Sequence, residues 1–233
     1  MKTLKILLLS LICGLFLGQP ATFGQKNKSI YYYPVKSAYV ESVYTGSTTG
    51  TDTYYMDNNG KVSARYSQLS TKSFGSTTKS NQIVIQKDSV FYTIDLDKKT
   101  GVKQTIHIDP KDMEKWTKSA EEAWTDMGFK KTGEEELLGK KCDIWEGMSS
   151  KIWVWQNFAL KTEMNVFGKN VIEVKKIDVG IPIDKSKFEI PEGITMTEAA
   201  TLNSSDPVFD SIGSGLKKGV NDLKEMFGPK KKK

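Results

Sequence analysis

Alternation with a period of two runs through most of this chain and limits its fold more than any other feature. Ala38, Val40, Ser42 and Tyr44 fall on one side of an extended segment, and Tyr39, Glu41, Val43 and Thr45 fall on the other. This is the pattern of a strand with two distinct faces. Asn58-Asn59-Gly60 supplies residues that tolerate positive φ, so residues 54–56 and 61–66 read as the arms of a hairpin. Residues 67–80, rich in Ser and Thr, read as a connection or an edge strand. A second hairpin follows at residues 83–86 and 90–95, about the turn Lys87-Asp88-Ser89, and Lys98-Lys99-Thr100-Gly101 turns the chain into residues 102–108. Strands return at residues 141–146, 151–155, 161–166 and 170–178, where the short spacings favour an antiparallel meander.

Two segments break this rhythm. Asp109 can cap a helix and Pro110 can occupy its first turn, while Met113, Trp116, Ala120, Ala123, Trp124 and Met127 recur at three- and four-residue spacing until Gly128. The spacing predicts a helix from Asp109 to Gly128 whose tryptophans cover a concave sheet. Asp206-Pro207 repeats the device, and Val208, Phe209, Ile212, Leu216, Val220, Leu223 and Phe227 form a second apolar stripe. Gly213, Gly215 and Gly219 each cost about 1 kcal/mol inside a helix, so this second stripe is expected to depend on docking.

The two ends carry the charge. Lys2 and Lys5 precede an apolar run from Ile6 to Leu17, and small residues follow to Gly24, the build of an export signal cut near Gly24. The run is well short of the roughly 20 residues that a membrane-spanning helix needs. Those two lysines and the tail Lys230, Lys231, Lys232 and Lys233 account for the whole formal charge of +6, so the body is neutral. With Arg65 as its single arginine, it lacks the basic face of a nucleic-acid binder. Cys13 leaves with the signal, so the remaining Cys142 has no intramolecular disulfide partner and stability must come from a core. The tail reads as a solvated end or, with the preceding stripe, as a peripheral contact with anionic lipid headgroups.

Catalytic and metal-binding patterns are sparse. His107 is the only histidine and reads as an ordinary polar strand residue, and no His/Cys zinc set, nucleophile elbow or phosphate loop can be assembled. Cys142 reads as buried and inert despite Lys140 and Lys141 nearby. Glu121-Glu122 and Glu134-Glu135-Glu136 read as solvated faces. Trp153 and Trp155 share one face of their strand, with Ile152 and Val154 on the other. Either the strand is buried on both sides, the favoured reading, or one face lines a hydrophobic cavity. No catalytic residue, metal or cofactor is assigned.

The words Leu138-Gly139-Lys140-Lys141-Cys142-Asp143-Ile144-Trp145, Ile152-Trp153-Val154-Trp155 and Phe188-Glu189-Ile190-Pro191-Glu192-Gly193 resemble those of a family of exported bacterial proteins of unknown function. That family looks related to the LolA/LolB-like lipoprotein carriers. The resemblance covers most of residues 36–195 and implies an antiparallel sheet curled into an unclosed half-barrel, with helices on its concave side and a cavity for acyl chains. The expected organisation is a signal at residues 1–24, one LolA-like mainly β domain at 25–200, and a C-terminal amphipathic helix with its Lys tail at 201–233. The expected function is non-enzymatic binding or carriage of a hydrophobic ligand, a lipid or lipoprotein acyl chain, in a bacterial envelope. Trp116, Trp124, Trp153 and Trp155 are the candidate cavity residues. The alternatives are a structural or interaction module with a filled core and, third, an unrecognised hydrolase.

Overall fold

The computed structural model describes residues 33–73, 75–107, 109, 124–125, 128–165 and 168–206. Thirteen strands build it: β1 (Ala38–Thr45), β2 (Thr48–Asp57), β3 (Val62–Ser73), β4 (Ser76–Lys87), β5 (Val90–Asp95), β6 (Thr100–His107), β7 (Lys130–Leu137), β8 (Lys140–Gly147), β9 (Ser150–Trp155), β10 (Phe158–Asn165), β11 (Lys169–Val179), β12 (Thr195–Glu198) and β13 (Leu202–Asn203). They join in one order, β12-β6-β5-β4-β3-β2-β1-β11-β10-β9-β8-β7, with β13 also on β6. Two antiparallel meanders, β1 to β6 and β7 to β11, are thus sewn together where the first strand pairs with the eleventh. The path is open, because its ends β12 and β7 are not neighbours.

Local chemistry accounts for most of these boundaries. Asn58, Asn59 and Gly60 all have positive φ and form the short 3-10 turn between β2 and β3, as their tolerance of the left-handed region requires. Asp88 and Lys99 take the same conformation at the next two reversals. The Ser/Thr-rich stretch is neither a loop nor an edge: Val62 to Ser73 pairs without interruption with Ser76 to Lys87, the longest hairpin of the sheet. Threonine suits a pleated surface whether or not it is buried, so polarity misdirected that reading. The segment Lys130–Leu137, read only as a solvated acidic run, is an edge strand whose charges do face solvent. Charged side chains on an edge also discourage pairing with another chain.

The expectation of a helix on the concave face and a C-terminal amphipathic helix is corrected. Among the described residues only Trp124 and Thr125 are helical and no α-helical element occurs; the fold is a large open sheet with two short 3-10 turns. Of the stripe from Asp109 to Gly128 only Asp109, Trp124, Thr125 and Gly128 are described, and residues 207–233 lie outside the described residues, as do residues 1–32 with the expected signal. Gly128, at φ +86°, donates its N–H to the Thr125 carbonyl, and the Phe129 N–H donates to the Trp124 carbonyl, each at 2.9 Å. The physical reason for the correction is that the sheet buries its own apolar faces. Leu202–Asn203, assigned from sequence to the C-terminal helical region, instead adds a strand to β6.

Three apolar clusters lie on the sheet. The first unites Tyr33, Val40, Tyr54 and Met56 with Cys142, Ile144, Trp153, Phe158 and Leu160. The second sets Ala64, Ile83, Ile85 and Ile94 against Phe188, under a strap that includes Ile183, Ile190, Ile194 and Met196. The third gathers Phe129, Trp145 and Ile152 with Trp124. By strand register the first cluster uses the face of β1 and β2 that carries Val40 and Tyr54, and the second uses the opposite face, that of Ala64 and Tyr55. A register shift between Ala159 and Lys161 keeps Phe158, Leu160 and Thr162 buried along β10 while β9 alternates past them. Neighbouring Ile152 and Trp153 are therefore both buried, in different clusters, and β9 has apolar cover on each side.

Candidate functional site

The site grows from charged residues placed on a core-facing parity. In β1 and β2, Val40 opposes Tyr54 and Ser42 opposes Asp52, and in β2 and β3 Tyr54 opposes Arg65. Asp52, Tyr54 and Arg65 therefore share one face, with Asp52 and Arg65 on the diagonal where long side chains can meet. Arg65 Nε lies 3.4 Å from Asp52 Oδ2, and the two side chains are 11% and 3% exposed. The Tyr44 hydroxyl donates to Asp52 Oδ2 at 3.3 Å. The guanidinium also sits over the Tyr54 ring, 5.4 Å from its centroid, where a cation gains from the ring quadrupole.

Pairing here is incomplete. Arg65 Nε is buried and has no hydrogen-bond acceptor in acceptable geometry, since the Asp52 oxygen supplies charge without alignment. Beside it lies a cavity of about 30 Å³, close to one water's share of the liquid. Arg65, Asp52, Tyr44 and Thr162 give the cavity its polar side, and Phe158, Ile172 and Val174 give it an apolar wall.

Electrostatics follow from burial. Burial pulls the Arg65 guanidinium downward, but Asp52 and the phenols of Tyr44, Tyr54 and Tyr33 outweigh it, and the group is held above its ordinary value. Burial, reinforced by Asp52, pushes the Tyr44 phenol well up. Tyr33 and Tyr54 are raised chiefly by burial. The phenols are therefore neutral at ordinary pH, and the site holds one positive and one negative charge.

Of the sequence candidates, Trp116 lies outside the described residues. Trp124 is half-buried and packs 5.1 Å from Phe129 and 6.4 Å from Trp145. Trp153 is 3% exposed, and its Nε1 donates to Glu135 Oε2 at 2.6 Å. Lys151 and Lys161 lie 5.1 and 4.5 Å from its ring centroid. Trp155 stacks on Phe158 at 6.2 Å, and Phe158 meets Tyr33 at 4.9 Å and lines the Arg65 cavity. The four tryptophans are not brought to one place; Trp155 reaches the cavity through Phe158, and Trp124 belongs to the third cluster. Sequence reasoning passed over Arg65, Asp52 and Tyr44. One signal was available, since Asp52, Tyr54 and Met56 alternate in register with a core face, but which cation faced Asp52 was not visible.

Other chemistry is dispersed. Cys142 is fully buried, and burial pushes its thiol up. His107 is exposed at the end of β6, opposite Asn203. Among the described residues no group of His, Cys, Asp and Glu could hold a metal, and no helix is long and apolar enough to cross a membrane. A wider recess of about 690 Å³ lies between the turn at residues 146–151 and the ends of β10 and β11. It is open, and the Lys151–Glu146 pair at 3.1 Å on its wall is half exposed.

No protein-family model matches the sequence, and no curated protein does. Among solved structures the chain is similar to an uncharacterized conserved protein from Thermus thermophilus, with 8% identity, a TM-score of 0.46, and coverage of 71% of this chain and 92% of that one. It is also similar to a chain of the Pseudomonas aeruginosa MucA/MucB complex, with 10% identity, a TM-score of 0.40, and coverage of 70% of this chain and 59% of that one. A third likeness, to PNGF-II, has 15% identity and a TM-score of 0.37, and covers 76% of this chain and 33% of that one.

Proposed function

We propose that this protein is a non-enzymatic binder of a hydrophobic ligand, a lipid or lipoprotein acyl chain, in a bacterial envelope. The observation that carries the reading is the Arg65–Asp52 pair, buried on a core-facing side of the sheet beside a cavity with an apolar wall. A buried ion pair is a poor way to stabilise a core, because removing two charges from water costs as much as their attraction returns, and apolar residues of similar volume do as well or better. Its incomplete pairing suits a site that receives something. Export rests on Lys2, Lys5 and the apolar run before Gly24, and the Lys230 to Lys233 tail is proposed as a secondary contact with an anionic membrane surface.

A second reading, an envelope interaction module with a filled core, is favoured by one observation. Trp153 is 3% exposed within the first cluster, and Trp155 stacks on Phe158, so these rings already have partners. A protein ligand in the manner of MucB with MucA belongs to this reading. Organic extraction and mass spectrometry of the purified mature protein separate the two. Retained acyl species at a fixed ratio to protein are expected, and their absence after expression in an envelope-exporting host favours the interaction module.

A further inference from the structure

We infer that the Arg65 cavity is the polar end of the ligand site and takes a neutral acceptor, the carbonyl oxygen of an ester- or amide-linked acyl chain, in preference to a free carboxylate. This inference rests on the ligand-binding reading above and names the chemistry of the bound head group. Three observations converge on it. Arg65 Nε is buried without an acceptor, and a buried donor left unmade carries the desolvation penalty until an oxygen meets it. Asp52 already neutralises the guanidinium, and the other lining groups are hydroxyls and hydrocarbon. A second carboxylate would add an uncompensated buried charge, whereas a carbonyl would add none. The cavity, at about 30 Å³, accommodates one oxygen-sized group.

The surroundings suit the remainder of such a ligand. Phe158, Ile172 and Val174 give the carbonyl an apolar wall, and the hydrocarbon beyond it would lie outside the cavity, along the sheet face. By register Val84 opposes Arg65 across β3 and β4, and Leu69 lies further along the Arg65 face of β3. Both are half-buried, so hydrocarbon laid over them would bury more apolar surface.

The test uses cis-parinaric acid and its methyl ester as fluorescent probes on the mature full-length chain at neutral pH. The parent is expected to bind the ester about tenfold more tightly than the acid, since one buried charge is readily worth that factor. Asp52→Asn, which leaves the guanidinium unopposed, should reverse the preference, and a structural role for Asp52 would not produce that reversal. Arg65→Gln combined with Asp52→Asn keeps the site neutral and should weaken ester binding about tenfold while abolishing discrimination. Should the variants fail to fold by circular dichroism, the parent's preference between the probes decides alone. Saturable binding of both probes with no preference overturns this inference and leaves the cavity to water, with the ligand reading intact. No saturable binding of either probe overturns both.

Discussion

The two larger cores of this sheet are built on opposite principles. The second has a closed aliphatic centre: Ala64, Ile83, Ile85 and Ile94 are at most 1% exposed, Phe188 covers them from the strap, and the half-buried Tyr55, Tyr66 and Tyr92 pack at the margin. That strap is tied down by the Tyr66 hydroxyl donating to the Lys187 carbonyl at 2.8 Å and by β12 running parallel to β6. Beside the first core stand a buried ion pair, the buried phenols of Tyr33, Tyr44 and Tyr54, and a small void. The second has what stability alone asks for. The first carries a buried ion pair that stability does not ask for, and the proposed ligand site rests on that difference.

Substitutions can break this contrast. Phe188→Ala should cost about 3 to 5 kcal/mol in urea unfolding, because a fully enclosed ring leaves a void that the strap cannot refill, while probe binding at the Arg65 cavity stays unchanged. A loss below about 1 kcal/mol would mean that the strap is dispensable and the second core is no closed core at all. At the other site, Asp52→Ala should cost about 3 to 5 kcal/mol by leaving Arg65 buried without its counter-ion. Replacing both members, Asp52→Leu with Arg65→Met, should be neutral or stabilising by about 1 to 4 kcal/mol while ligand binding is lost. A double variant as unstable as the single one would make the pair a structural element and remove the functional contrast.

Alkali sharpens the same comparison. A phenol whose pKa is raised in the fold contributes stability in full below its ordinary value of 10 and loses it as pH climbs through the folded value, because the unfolded chain gives up its proton first. Tyr39, hydrogen-bonded to Glu41, is pushed up to about 12, and burial raises Tyr33, Tyr44 and Tyr54 of the first core. Stability should therefore fall above pH 10, and absorbance at 295 nm should show phenols that ionise only with unfolding. Normal, fully reversible titration of every tyrosine below the unfolding transition would show the first core to be open to water. The smallest effect is expected at the rim of the strap. Lys103→Ala, which removes the exposed Lys103–Glu198 pair at 2.6 Å, should change stability by less than about 1 kcal/mol, and a larger loss would make β12 the principal clamp of the second core.

The hairpins were legible because their signals are local. Asn58-Asn59-Gly60 and Lys87-Asp88-Ser89 turn the chain where their backbone preferences say, and the alternation of Ala38 to Thr45 became a strand with Ala38, Val40, Ser42 and Tyr44 buried. Cys142 was read as buried, and it is. Residues 67–80 misled because a strand with both faces polar has no period to detect. The helical reading of Asp109 to Gly128 came from capping residues and spacing, and neither states which surface awaits the stripe. Trp153 and Trp155 were singled out because their strand is apolar on both faces, and that pattern does not distinguish a ring that fills a core from one that lines a cavity.

By itself the sequence determined the strand-rich class, the turn positions, the neutral body and the composition of each face, since these depend on residues within a few positions of one another. Tertiary structure decided the pairing of β1 with β11, the strap over β3 to β5 and the meeting of Arg65 with Asp52. Each joins groups whose attraction exists only after the chain between them has been ordered. A single sequence carries no record of which of the many possible closures the folded state selects.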